Sequence, residues 1–230
     1  MAIRFSYPND ANGRRVHTDL VIHSVPFFPT RTGAEFLELL QAIATSPPDA
    51  EHPNNVGKYA ASHPATLAFI QVPKPIPASF STQQYWSVTA FTLIDAAGKE
   101  TFVRYHVTPN AGVQTLDSDT VKTMGPNFLH EEMKSRIKTG PQTFTLTAQI
   151  AQEGDVTDDS TVHWPNSREV VTLGELTIDS MVPDEESLKE QKDLIFDPIP
   201  RVPGVGPSAD AMLEMRAAIY LISGKQRRAA

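Results

Sequence analysis

Residues 86–109 read WSVTAFTLIDAAGKETFVRYHVTP. Two runs rich in β-branched and aromatic residues flank AAGKE, where Gly98 can take the left-handed backbone that a tight turn needs. The pattern predicts an antiparallel hairpin. With further strands and short helices around it, the hairpin predicts an antiparallel meander.

Upstream, AIRFSY and TDLVIHSV flank PNDANG, so residues 2–25 read as a second hairpin. GAEFLELLQAIATS carries apolar residues at helical spacing and stops before Pro47 and Pro48. VPKPIPASF is too rich in proline for anything but an extended crossing loop. Downstream, DTVKTMGPNFLHEEMKSRIKTG predicts a helical segment interrupted near Gly125 and Pro126, and TFTLTAQIAQ and EVVTLGELTID predict further strands. After EESLKEQKDLIF, the punctuated loop DPIPRVPGVGPSAD leads into a final helix. The order predicts an α+β fold, mainly β: an antiparallel β-barrel with helical insertions and one closing helix, a shape that can enclose a ligand. With 230 residues, 40% of them hydrophobic, and no repeat or linker, a single domain over 1–230 is expected.

The formal charge of -7 argues against nucleic acid or an anionic membrane surface as partner, because both reward a basic face. No apolar run reaches the length of a membrane span, and the start at Met1 lacks a signal peptide's charged and apolar regions. The chain has no cysteine and ends in Arg-Ala-Ala, not in a peroxisomal tripeptide, so a cytoplasmic location is expected. Without cysteine, redox chemistry requires a borrowed cofactor.

Most candidate motifs lead nowhere. His17 and His23 lie six apart in one expected strand and so face the same side, but with too much strand between them for a metal pair. His52, His63, His106, His130 and His163 are scattered without metal spacing. Asp158 and Asp159 lack the alternate oxygen ligands of a calcium loop, so a solvated turn is expected. The GVG at Gly204–Gly206 lacks the third glycine of a dinucleotide loop.

The last helix is different. Arg216 and Tyr220 are four apart, so the guanidinium can lie against the phenol. Around them, FDPIPRVPGVGPSADAMLEMRAAIY (196–220) resembles the haem-proximal segment of catalases: Phe196-Asp197-Pro198, Pro203-Gly204, Ser208-Ala209-Asp210 with Leu213, then Arg216 and Tyr220. The resemblance continues in VTAFTLIDAAGKETFVRYHVTP, in STVHWPNSREVVTLGELTID around its Trp-Pro, and in HTDLVIHSVPFFPTRTG. It covers nearly the whole chain and is strongest to the small catalase-related peroxidases.

The resemblance implies haem b as cofactor, with Tyr220 as axial ligand to the iron, Arg216 neutralising its phenolate, and Arg227 near the haem edge. It implies decomposition of hydrogen peroxide, or use of hydrogen peroxide or an organic hydroperoxide to oxidise a small organic reductant, and allows a homo-oligomer. Two departures stand out. The family's distal histidine belongs to a His-Ala-Lys-Gly-like segment ahead of the part that Met1-Ala-Ile-Arg-Phe resembles, so a barrel lacking its first strand is expected, whether by divergence or truncation. The family's distal asparagine falls at Val16 or His17, which makes His17 the candidate distal group. Ile222-Ser223 also replaces the Asp-Thr that often follows the tyrosine. The alternatives are a haem- or ligand-binding barrel without turnover, and an enzyme that rearranges organic hydroperoxides.

Overall fold

The computed structural model describes residues 1–229 apart from Pro48 and His52. His52, and the Pro48 part of the proline stop, therefore lie outside the described residues. The chain opens with a hairpin of β1 (Ala2–Tyr7) and β2 (Val16–Val21), paired from Ala2↔Val21 to Tyr7↔Val16. Alternation gives the hairpin two faces. Ile3, Phe5, Leu20 and Ile22 join the core, while Arg4, His17, Asp19 and Val21 sit on the other side.

Three helices follow: α1 (Gly33–Ala44), α2 (Asn55–Ser62) and α3 (Pro64–Gln71). Thr32 and Glu35 start α1 as a capping box, each side chain accepting the other's backbone N–H. The proline-rich crossing contains only β3 (Ile76–Pro77), which pairs with β7 (Thr115–Leu116).

The expected central hairpin is present, with a break. β5 (Phe91–Ile94) and β6 (Glu100–Pro109) meet through a turn in which Gly98 has φ +82°. The first strand begins earlier as β4 (Tyr85–Trp86), also paired with β6. Between Tyr85↔Val107 and Phe91↔Val103 it holds more residues than its partner, and the excess bends it. Ser87 pins the bend: its Oγ accepts the Tyr105 N–H at 2.7 Å, and its own N–H donates to the Tyr105 carbonyl at 2.8 Å.

The broken helical segment is α4 (Ser118–Lys122) and α5 (Phe128–Thr139), parted at Gly125 and Pro126 as the sequence predicts. Strands β8 (Gln142–Ile150) and β9 (Val170–Ile178), helix α6 (Asp184–Asp193), strand β10 (Val205–Pro207) and helix α7 (Ala211–Ala229) complete the chain. The GVG segment thus becomes β10, added to β5.

The architecture is mixed α and β with its core in the sheet. Val103, Tyr105 and Val107 of β6 pack with Phe144 and Ala148 of β8, Leu20, Ile22, Tyr85, Phe91 and, from α7, Leu213. The expected barrel lacks its first strand, and no closed barrel is seen among the described residues. The large sheet runs β10-β5-β6-β8-β9 with β4 beside β6, and the β1–β2 hairpin is a separate two-stranded sheet. Packed through the shared core, the two sheets are joined by backbone pairing only at the His23↔Trp86 bridge among the described residues. β9 is an open edge that leaves Val170, Val171 and Leu173 exposed, and among the described residues no ladder closes the sheet on itself.

Candidate functional site

The site is built where α7 crosses the outer face of the hairpin. Asp210 stands just before α7, buried, and its Oδ1 accepts the Met212 N–H at 2.9 Å, which satisfies one of the free donors at the helix start. From there Met212, Leu213, Arg216 and Gly224 are the buried positions of α7, so one stripe of the helix faces inward and carries Arg216 with it.

Arg216 is 9% exposed, which is low for a guanidinium, and its Nε and Nη2 are both engaged. Its Nε and Nη2 both donate to the phenol oxygen of Tyr220, each at 3.2 Å, and Nη2 also donates to the Val21 carbonyl at 3.3 Å. One cation therefore ties the helix to the end of β2 and concentrates positive charge on one phenol oxygen. Tyr220 is half-buried in a cavity of about 250 Å³, lined by Val21, Ile195, Phe196, Ser223 and Arg227 among others.

The cavity's other wall is the segment after α6, and two devices hold it. Asp19, with a fully buried side chain, takes a two-point ion pair from Arg4 at 2.7 Å and accepts the Asp197 N–H at 2.8 Å. Arg4 also donates to the Ile195 carbonyl, and its guanidinium lies over the Phe196 ring at 5.2 Å. On the helix side, Gly224 allows close approach: a Cβ there would sit 2.4 Å from Ile195 Cδ1. Arg227 lines the cavity, but its guanidinium donates to the carbonyls of Gln191 and Leu194 and to Ser223 Oγ, joining α7 to the end of α6.

The structure thus brings Tyr220, Arg216 and Arg227 into one neighbourhood. It does not bring His17 there. His17 lines a separate groove of about 220 Å³ with Arg15, Asp197 and Arg201. It shares a strand face with Val21, but four residues of strand, ~13 Å, lie between them. Nor do His17 and His23 share a site, because β2 ends at Val21 and the chain turns toward the bridge with Trp86.

His23 is the residue that sequence spacing undervalued. Its backbone exchanges hydrogen bonds of 2.8 Å with Trp86 in both directions, which seams the hairpin to the large sheet. Its Nε2 is buried with no hydrogen-bond partner among the described residues. Burial, followed by the charges of Arg216 and the N-terminal ammonium, lowers its pKa to about 4 and keeps the imidazole neutral. A lone histidine carries no motif, so only the fold could single it out.

Asp210 is a second unusual group. Burial raises its pKa to about 6 against the lowering hydrogen bond from the Met212 N–H, with Asp159 adding to the rise and Arg104 and Arg216 opposing it, and its Oδ2 has no hydrogen-bond partner among the described residues. Arg104, 2% exposed, lies over the Trp164 ring at 4.6 Å and donates to the carbonyls of Asp159 and Val162. Arg104 and Arg216, both buried, are thus the cations whose charges reach the buried Asp210 carboxyl.

No group of three His, Cys, Asp or Glu side chains among the described residues could hold a metal ion. Tyr220 offers a different chemistry: two N–H bonds from a cation stabilise negative charge on its oxygen, and a phenolate is a ligand for ferric iron. No helix among the described residues is long and apolar enough to cross a membrane.

A sequence model of the catalase family matches residues 12–230. A catalase-related peroxidase of Mycolicibacterium paratuberculosis is 31% identical over 230 residues, 99% of this chain and 70% of that protein. One of Synechococcus elongatus is 25% identical, over 99% of this chain and 66% of its own length. Of plant catalases such as that of Soldanella alpina, 27% identical, the chain spans about half the length, 46%. Among solved structures, a fungal catalase superposes with a TM-score of 0.79 at 17% identity, over 92% of this chain and 45% of its own. A bacterial catalase gives 0.78 at 19%, over 98% of this chain and 46% of its own. The sequence match over residues 12–230 and the shared fold place this chain in the catalase family.

Proposed function

We propose that this chain binds haem b through Tyr220 and acts on peroxide, either decomposing hydrogen peroxide or using it to oxidise a small organic molecule. The observation that carries the reading is the pair of N–H donors that Arg216 directs at the Tyr220 oxygen. Haem, when bound, supplies the iron through which electrons pass to the peroxide O–O bond.

The chain's own residues do the rest. Arg216 stabilises the ligand oxygen's negative charge and, through Val21, fixes the distance between α7 and the hairpin. Val21, Ile195 and Phe196 give the cavity an apolar lining beside that charge pairing, and a lower local polarity strengthens it. Arg227, at the same wall, is the cation available to an acidic haem substituent once it exchanges a backbone carbonyl for the new partner.

The test is the absorption spectrum of the purified chain with haemin, beside Tyr220→Phe. A high-spin ferric spectrum lost in the variant supports the reading, and one that persists in the variant sinks it. A second reading, haem retention without turnover, is favoured by the placement of His17 outside the Tyr220 cavity. It predicts the same spectrum with neither oxygen release nor oxidation of a reductant such as guaiacol.

A further inference from the structure

Helix α7 has a second face, turned away from the one that buries Met212, Leu213, Arg216 and Gly224. Its middle is exposed yet apolar: Ala218 is exposed, and Ile219, Leu221 and Ile222 keep 49%, 56% and 55% of their surface open to solvent. Three bulky apolar side chains bared within four residues form a contiguous patch, not a scatter of single residues, and such patches mark association sites.

Charge brackets the patch. Glu214 and Lys225 stand at its two ends on one line of the helix, since positions 214, 218, 221 and 225 follow the i, i+4, i+7, i+11 spacing of a single face. Both are exposed, and neither side chain has an ion-pair or hydrogen-bond partner among the described residues. The helix dipole favours an acid near the start of α7 and a base near its end. It does not account for the apolar side chains laid bare between them.

The order of residues along that line is its own complement. A two-fold axis crossing α7 between Ile219 and Tyr220 sets two copies of the helix antiparallel, and pairs Glu214 with Lys225 and Ala218 with Leu221 of the other copy, twice each. Acid meets base at both ends, and in the middle the large side chain meets the small one, where alanine lets the helices approach. Ile219 and Ile222 flank the seam. A parallel pairing would instead oppose the two Glu214 carboxylates and the two Lys225 ammonium groups.

We propose that the partner of this face is a second copy of the chain, packed α7 against α7 in antiparallel register. The interface is one helix wide, well below the area of a standard stable complex, so the dimer is weak and depends on concentration. Arg216 and Tyr220 lie on the opposite side of α7, so each copy keeps its own Tyr220 cavity and the pairing does not rest on the peroxide reading.

Sedimentation equilibrium of the full chain at about 1 to 100 μM and low salt is expected to show a monomer–dimer equilibrium. Leu221→Glu puts an acid into the centre of the seam and should raise Kd by about a hundredfold or more. Glu214→Lys and Lys225→Glu each turn both end pairs into like charges. Each should raise Kd by about tenfold, an effect that about 0.5 M salt largely removes. The double reversal should restore the wild-type Kd, and so should mixing the two single variants, which then pair with each other. All three positions are exposed, so circular dichroism should not change, and the charge series keeps the test valid if Leu221→Glu misfolds. A monomer at every concentration overturns the proposal and leaves the face to a different partner. A dimer indifferent to Leu221→Glu, or one that the double reversal fails to rescue, overturns it as well.

Discussion

Arg216 directs two N–H groups at one oxygen, that of Tyr220, and a third contact at the Val21 carbonyl. The planar fork makes this possible, because a lysine in its place offers a single ammonium that cannot reach both targets in the same geometry. Arg216→Lys is therefore expected to keep the fold and to weaken ferric haemin binding by about tenfold, the loss of one charge-assisted bond. Absorbance titration measures it. Arg216→Leu should weaken binding further and also lower thermal stability, since Val21 then loses its donor.

Two histidines should make the fold sensitive to mild acid. His23 and His106 both have pKa values lowered from 6.5 to about 4, chiefly by burial. A group with a depressed folded pKa is neutral in both states above the unfolded value, so its contribution is intact at pH 7.5. As pH falls from 6.5 toward 4 the unfolded chain takes up protons that the folded chain refuses, and stability is lost over that window. Each contributes a loss of ~3 kcal/mol at most. Denaturant melts at pH 7.5 and 5.0 should show a fall in midpoint, partly offset by the protonation of Asp210 and markedly smaller in His106→Gln.

The hairpins and the last helix were legible because each rests on local chemistry. PNDANG and AAGKE specify turns, and Ser208-x-Asp210 starts α7 by accepting the Met212 N–H. Arg216 and Tyr220 were legible too, because helical spacing brings positions four apart together. What was not legible depended on long-range geometry. The barrel was read from strand order, which does not say whether the last ladder closes. The family's distal asparagine falls at Val16 or His17, neighbours that point to opposite faces of the strand, and His17 faces the Arg201 groove. His23 acquires its character from Trp86 and Arg216, respectively 63 and 193 residues away in sequence. Helices α2 and α3 left too weak a periodic signal to be read.

Asp210 should respond to pH in the opposite sense from the histidines. Its folded pKa is raised from 3.8 to about 6 by burial, with Asp159 second among the raising influences, so its contribution is fully present below 3.8 and is lost as pH rises through 6. At pH 7.5 the ionised carboxylate is a net cost, ~3 kcal/mol by the size of the shift and less after relaxation. Asp210→Asn keeps an oxygen for the Met212 N–H and removes the charge. It is expected to stabilise the fold at pH 7.5 by about 1–2 kcal/mol and to give no benefit at pH 3.5. Equal effects at both pH values would show that Asp210 acts through packing and not through its charge.

Gly206 tests how the loop before α7 is held. In β10 it pairs with Thr92 of β5, and a Cβ at this position would lie 2.4 Å from Thr92 Oγ1. Thr92 is buried and β-branched, so its side chain has few rotamers to retreat to. Gly206→Ala must therefore shift β10 away from β5 or distort Thr92, at a cost of about 1–3 kcal/mol. Gly98→Ala at the exposed turn, with φ +82° but nothing near its Cβ, isolates the backbone part of such a cost. Because β10 feeds α7 through Ser208 and Asp210, the Gly206 variant should also reduce haemin binding. The Gly98 variant, at the far end of the β5–β6 hairpin, should lose stability only. Chemical denaturation and haemin titration of both variants distinguish a tether that positions α7 from a strand that merely adds to the sheet.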